Sequence, residues 1–134
     1  MMYLIDTNVC VASLRGKNPT LRVKLESIPD TEIFICSIVK AELIFGAIRS
    51  QDPEKNLKKL TDFESDFRSL PFDDDAAEVH ARLREHLSRQ GNLIGPHDLM
   101  IASIALANGL TLVTHNLREF ERVPDLVVED WERP

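Results

Sequence analysis

The stretch Gly95-Pro96-His97-Asp98-Leu99-Met100-Ile101-Ala102-Ser103-Ile104-Ala105-Leu106-Ala107-Asn108-Gly109, followed by Leu110-Thr111-Leu112-Val113, decides the fold class. A proline just inside the start and a glycine just past the end bracket a helix from Pro96 to Asn108. That helix is apolar nearly all round, so it must be buried on every side rather than along one stripe. An enclosed helix that passes through one glycine into a short, continuously apolar strand belongs to a layered α/β domain. The helix has a single acid, Asp98 in its first turn. The helix dipole favours a negative charge there. Yet the N-terminus of a core helix must open onto something, and the crevice beyond the carboxyl ends of parallel strands is the natural place.

Working outward, the same alternation recurs. Tyr3-Leu4-Ile5 reads as a strand, Asp6-Thr7-Asn8 as a polar turn, and Val9 to Leu14 as a helix stopped by Gly16. Pro19 opens a second helix through Leu21, Val23, Leu25 and Ile28, closed by Pro29-Asp30. Glu32 to Cys36 is a second buried strand, after which Ser37 is expected to cap a helix running to about Arg49. Asp52-Pro53 starts an amphipathic helix with Leu57, Leu60, Phe63, Phe67 and Leu70 on one face, and a further helix runs from about Asp75 to Arg89. Leu126-Val127-Val128 reads as a last short strand before Trp131. No repeat or linker interrupts the pattern, so residues 1–134 are expected to form one α/β domain with a mostly parallel central sheet.

The 134 residues are 43% hydrophobic and 28% charged, which excludes a disordered or fibrous chain. The longest near-apolar run, Leu99 to Ala107, falls far short of the ~20 residues of a membrane span. The opening Met1 to Asp6 lacks the basic segment and long apolar run of a secretory signal, so a cytoplasmic protein is expected. Cys10 and Cys36 have neither the CxxC nor the histidine spacing of a zinc site and read as buried thiols. The net charge of -6 argues against nucleic-acid binding through a broad positive face. The segment from Arg15 to Lys24 is the local exception, carrying Arg15, Lys17, Arg22 and Lys24 and no acid.

The candidate chemical residues are acids placed where strands end and helices begin. Asp6 directly follows the first strand; it could project into the crevice or cap the following helix. Glu42 shares a helix face with Ile38, Phe45 and Gly46 in an otherwise apolar run, and Lys40 points elsewhere. It either meets a ligand or emerges at the helix edge, because an unpaired carboxylate in the core would be costly. Asp98 repeats the pattern. After the late strand, Asn116 or Glu119 could add oxygen to the same crevice, with a turn role for Asn116 as the alternative. Carboxylates converging at one sheet end, without a histidine pair, make a hard-oxygen site of the kind Mg²⁺ or Mn²⁺ occupies. His80, His86, His97 and His115 are expected at the surface, and Asp73-Asp74-Asp75 as a helix-start acid run. The absence of GxGxxG, GxxxxGK[ST] and Gly-x-Ser-x-Gly patterns removes nucleotide cradles and a serine hydrolase.

At this point the chain resembles the PIN domains, and more narrowly the VapC toxins of bacterial toxin-antitoxin pairs. The matching pieces are Leu4-Ile5-Asp6-Thr7-Asn8, Ser37 to Ala47, Gly95 to Ala102 and Leu112 to Phe120, in order along the chain together with Val123-Pro124 and Glu129-Asp130-Trp131. The resemblance implies a three-layer α/β/α sandwich. It also implies an Mg²⁺- or Mn²⁺-dependent endoribonuclease, with transfer RNA a frequent substrate, silenced by a VapB-type antitoxin and commonly homodimeric. By position, Asp6, Glu42 and Asp98 match the family's acidic metal-site residues. Glu119 matches the fourth acid and Asn116 a neighbouring polar ligand or orienter, while Thr7 and Thr114 match polar residues lining the site. Arg15 and Lys17 then become candidates for phosphate contacts. Two other readings are a catalytically idle partner-binding module and a nuclease acting on DNA.

Overall fold

The computed structural model describes all 134 residues, Met1–Pro134. Five short strands, β1 (Tyr3–Ile5), β2 (Ile33–Cys36), β3 (Arg68–Leu70), β4 (Thr111–Val113) and β5 (Val128–Glu129), form one sheet in the order β3-β2-β1-β4-β5. Every pairing is parallel. Between the strands run α1 (Thr7–Arg15), α2 (Pro19–Glu26), α3 (Ser37–Ile48), α4 (Pro53–Glu64), α5 (Asp74–Arg89), α6 (Pro96–Ala107) and α7 (Leu117–Phe120). The chain steps outward from β1 to β3 on one side and then returns to the other side of β1 for β4. Parallel crossovers are right-handed, so the helices before β3 and those after it cover opposite faces of the sheet. In keeping with this, α1 packs on α3 and α3 on α4, while α5 packs on α6.

The core is built as the apolar runs require. All four residues of β2 are buried, as are Leu4, Ile5, Leu112 and Val113 of the two central strands. In α6, the residues Leu99, Ile101, Ala102, Ser103, Ile104 and Ala105 are buried, which accounts for its lack of a polar face. Ser103 resolves its polarity by donating to the carbonyl of Leu99 at 2.7 Å. Gly16 and Gly109 take positive φ (67° and 65°) at the ends of α1 and α6, the left-handed conformation that stops a helix. Asp73 caps α5 by accepting from the Ala76 N–H at 3.0 Å, with Asp74 and Asp75 in the first turn, as expected of that acid run.

Four local readings are corrected, the first being that α2 ends at Glu26 and leaves Ile28 beyond it. Ser37 does not cap α3: Cys36 is the N-cap, and the Ser37 hydroxyl accepts from the Phe72 N–H at 3.2 Å. Phe67 and Leu70 lie beyond α4, which ends at Glu64. Phe67 packs edge-on to Phe63 with ring centroids 5.2 Å apart, and Leu70 belongs to the edge strand β3. The apolar run of α3 is only half enclosed: Val39 and Leu43 are buried, but Phe45 and Ile48 are 59% and 57% exposed. Glu42 therefore sits at a surface crevice and not inside the core.

Candidate active site

The strand order reverses between β1 and β4, and the crevice of an open parallel sheet lies at that switch point. Asp6 ends β1 there, with its backbone N–H bonded to the Val113 carbonyl at 3.1 Å. Both readings of Asp6 hold together. Its Oδ1 caps α1 by accepting from the Val9 N–H at 2.9 Å, and the residue, 4% exposed, is close enough to Glu42 and Asp98 for their charges to act on one another. Burial raises its pKa against the opposing hydrogen bonds from Thr114 and Val9, and Glu132 and Glu42 push it further the same way.

Glu42 reaches the same place from α3. Its Oε1 accepts from the Thr7 hydroxyl at 2.6 Å, and its Oε2 lies 3.2 Å from His97 Nδ1. Asp98 enters from the first turn of α6. Glu119, in α7, has both oxygens held: the Gly95 N–H donates to Oε1 and the Asn116 amide to Oε2, each at 2.7 Å. A Cβ placed on Gly95 would stand 3.5 Å from Glu119 Oε1 and 3.6 Å from Asp98 Oδ2, so these two oxygens face one small space. Glu42, Gly95, Pro96, His97 and Asp98 line the cavity above it, about 230 Å³ in volume.

The four carboxylates form no ion pair with any lysine or arginine; the only charged-type contact among them is the His97–Glu42 pair. Burial, then the adjacent Glu119, then Asp6 and Glu42, push the Asp98 carboxyl up to about 7. Such a donor set, all hard oxygen and short of positive charge, fits a divalent cation of the Mg²⁺ or Mn²⁺ type.

A different group, His115, Asp130 and Glu132, brings its ligand atoms within 4.8 Å of one another, closer than any three of Asp6, Glu42, Asp98 and Glu119 come. Its chemistry differs, because one of its two acids, Asp130, is already satisfied. Asp130 Oδ2 meets His115 Nδ1 at 3.0 Å and Arg133 Nε at 3.1 Å, while Oδ1 accepts from the Glu132 N–H at 3.0 Å. A carboxylate neutralised in this way has little to offer a metal.

Asp6, Glu42, Asp98 and Glu119 thus converge, with Thr7 holding Glu42 and Asn116 holding Glu119. Thr114 is fully buried and serves Asp6 and the Asn116 N–H instead of facing solvent. Arg15 is exposed at the end of α1 and Lys17 on the turn beyond it. The rest of the basic segment turns away: Arg22 and Lys24 are on α2, and Lys24 lies 5.8 Å over the Trp131 ring. Sequence reasoning passed over His97 and Gly95 as neighbours of the carboxylates. Their adjacency to Asp98 was a signal for both.

A parallel sheet ordered 3-2-1-4-5 with acids at its switch point defines the class, a layered α/β protein with its site beyond the strand ends. The chain belongs to the PIN domain family, whose profile matches residues 3–126. Within it, the chain is 39% identical over 131 residues to the tRNA(fMet)-specific endonuclease VapC of Salmonella typhimurium, covering 98% of each chain. It is 38% identical over 134 residues to ribonuclease VapC2 of Rickettsia felis, covering 99% of this chain and 100% of that one. The structure of DNA-bound VapBC from Salmonella typhimurium superposes with a TM-score of 0.93 at 39% identity, covering 98% of each chain.

Proposed function

We propose that this chain is a divalent-metal-dependent endoribonuclease of the VapC type, the toxin of a toxin-antitoxin pair, with transfer RNA as its substrate class. The observation that carries the reading is the convergence of Asp6, Glu42, Asp98 and Glu119 at the switch point with no lysine or arginine partner. The kinship with VapC ribonucleases supports RNA over DNA. A bound Mg²⁺ or Mn²⁺ would supply a water of lowered pKa and neutralise charge on the scissile phosphoryl group.

The chain's own residues do the rest. Asp6, Glu42 and Asp98 would hold the ion, and Glu119 completes the negative set beside Asp98. Thr7 fixes the rotamer of Glu42 through the 2.6 Å hydrogen bond. Gly95 and Asn116 together hold the Glu119 carboxylate plane. Thr114 and the Val9 N–H anchor the Asp6 carboxylate. A bound cation would favour the ionised form of Asp98, whose carboxyl burial and Glu119 raise to about 7 in the metal-free protein.

As a partner we propose a VapB-type antitoxin that presents Arg or Lys to the carboxylates. A guanidinium can pair bidentately with them and compete with the metal. The toxin itself is proposed to be a cytoplasmic homodimer, checked by light scattering on the purified chain. No helix is long and apolar enough to cross a membrane.

The test of the activity is incubation of purified protein with total cellular RNA, with Mn²⁺ or with chelator, followed by mapping of cut ends. Asp6→Asn, Glu42→Gln and Asp98→Asn should each abolish cleavage while the circular dichroism spectrum stays unchanged. Asp98→Asn cutting at the wild-type rate would overturn the metal-site reading.

A further inference from the structure

We propose that the groove bounded by α1, α3 and α4 holds the RNA backbone on one side of the scissile phosphate, with Arg15 and Lys59 contacting its phosphates. The proposal rests on the nuclease reading above and assigns the direction in which the substrate leaves the site. Glu42 lines both the cavity above Asp98 and this groove, about 460 Å³ in volume, so the groove opens directly from the carboxylates. A phosphate placed at the acids can send its neighbours out through this cleft.

The charge of the groove selects the occupant. In a chain of net charge -6, Arg15 and Lys59 line it and Glu42, at its inner end, is its only acid. Neither cation makes an ion pair within the chain. Both are exposed, so each can meet a phosphate without first breaking a native contact. The cleft on the other flank of α1 shares Arg15 but adds Glu132 and no second cation. Arg15 stands eight residues, roughly 12 Å, along α1 from Thr7, a reach that a few nucleotides cover. Val11, Leu14, Leu43 and Leu60 supply apolar surface for ribose and base faces. Contacts of this type position the strand without reading its sequence.

The experiment measures binding of bulk transfer RNA to protein carrying Asp98→Asn, which removes the cleavage background. Adding Lys59→Gln should weaken binding on the order of fivefold; between about 50 and 200 mM KCl it should also make the log Kd against log salt slope shallower by roughly 0.7 to 0.9. Arg15→Gln should do the same, and Lys59→Arg should restore the slope. Lys58→Gln, one residue away on α4 and outside the groove, should change neither quantity. With Asp98 intact, Mn²⁺ present and the same RNA, Lys59→Gln should raise KM and leave kcat unchanged. An unchanged slope in Lys59→Gln, or an equal loss in Lys58→Gln, overturns the proposal. So does a Lys59→Gln protein that loses antitoxin binding but binds RNA normally, since the groove would then belong to the partner protein. Failure of the unsubstituted chain to cleave RNA with any divalent ion would sink the nuclease reading instead, and the salt slopes would still judge the groove.

Discussion

Asp98 makes the energetics of the metal-free site measurable. Its carboxyl is held at about 7 in the folded chain, against 3.8 without burial and neighbours. A raised folded-state pKa gives stability that is fully present below the unfolded value and lost as pH rises through the folded one. In chelator, the wild-type melting temperature should therefore fall relative to that of Asp98→Asn between pH 4 and about 7 and level off above. At pH 8 the mutant should melt at least as high as wild type. A mutant several degrees less stable at both ends of the range would make Asp98 a structural first-turn acid. The Glu119–Asn116 pair yields a second residue-scale prediction. Glu119 contributes charge, whereas Asn116 donates an amide hydrogen bond to it. Glu119→Gln should thus weaken Mn²⁺ binding, followed by thermal shift, more than Asn116→Ala does. The reverse order would make Asn116 the ligand.

Among the elements, α6 carries the most weight per residue. Ile104 is fully buried, so Ile104→Ala should cost about 2–5 kcal/mol in urea denaturation. Phe45→Ala on the exposed face of α3 should stay within roughly 0.5 kcal/mol. The two side chains look equally core-like in sequence, and equal losses would mean that α3 is covered in solution. The same contrast explains what the sequence hid. Helices α1, α3, α5 and α6 were legible because proline, glycine, acid runs and periodicity mark them locally. Strand β3 was not, since Arg68-Ser69-Leu70 has no alternation and is a strand only because β2 lies beside it. The four-residue α7 escaped notice for a similar reason; it is fixed by Phe120 burying its ring and by Glu119 reaching Gly95.

At the scale of the whole molecule, the site is assembled from four separate segments and a cation should tie them together. Mn²⁺ at a hundredfold excess over its Kd should stabilise the fold by roughly 2.7 kcal/mol, a rise of several degrees in Tm for a domain of this size. Glu42→Gln should lose most of that rise. An equal rise in both proteins would put the ion elsewhere, with His115, Asp130 and Glu132 the next place to look. The sequence by itself determined the alternation of strand and helix, the enclosure of α6 and the candidacy of Asp6, Glu42 and Asp98 at strand ends and helix faces, because burial patterns and helix signals are local properties of the chain. Only the tertiary structure decided that Glu119 faces Asp98, that Thr114 lies behind Asp6, that Asp130 is already neutralised by Arg133 and His115, and that Lys59 shares a groove with Arg15. Those relations join residues far apart in the chain, brought together by the crossover that returns β4 to the side of β1, and no local pattern records them.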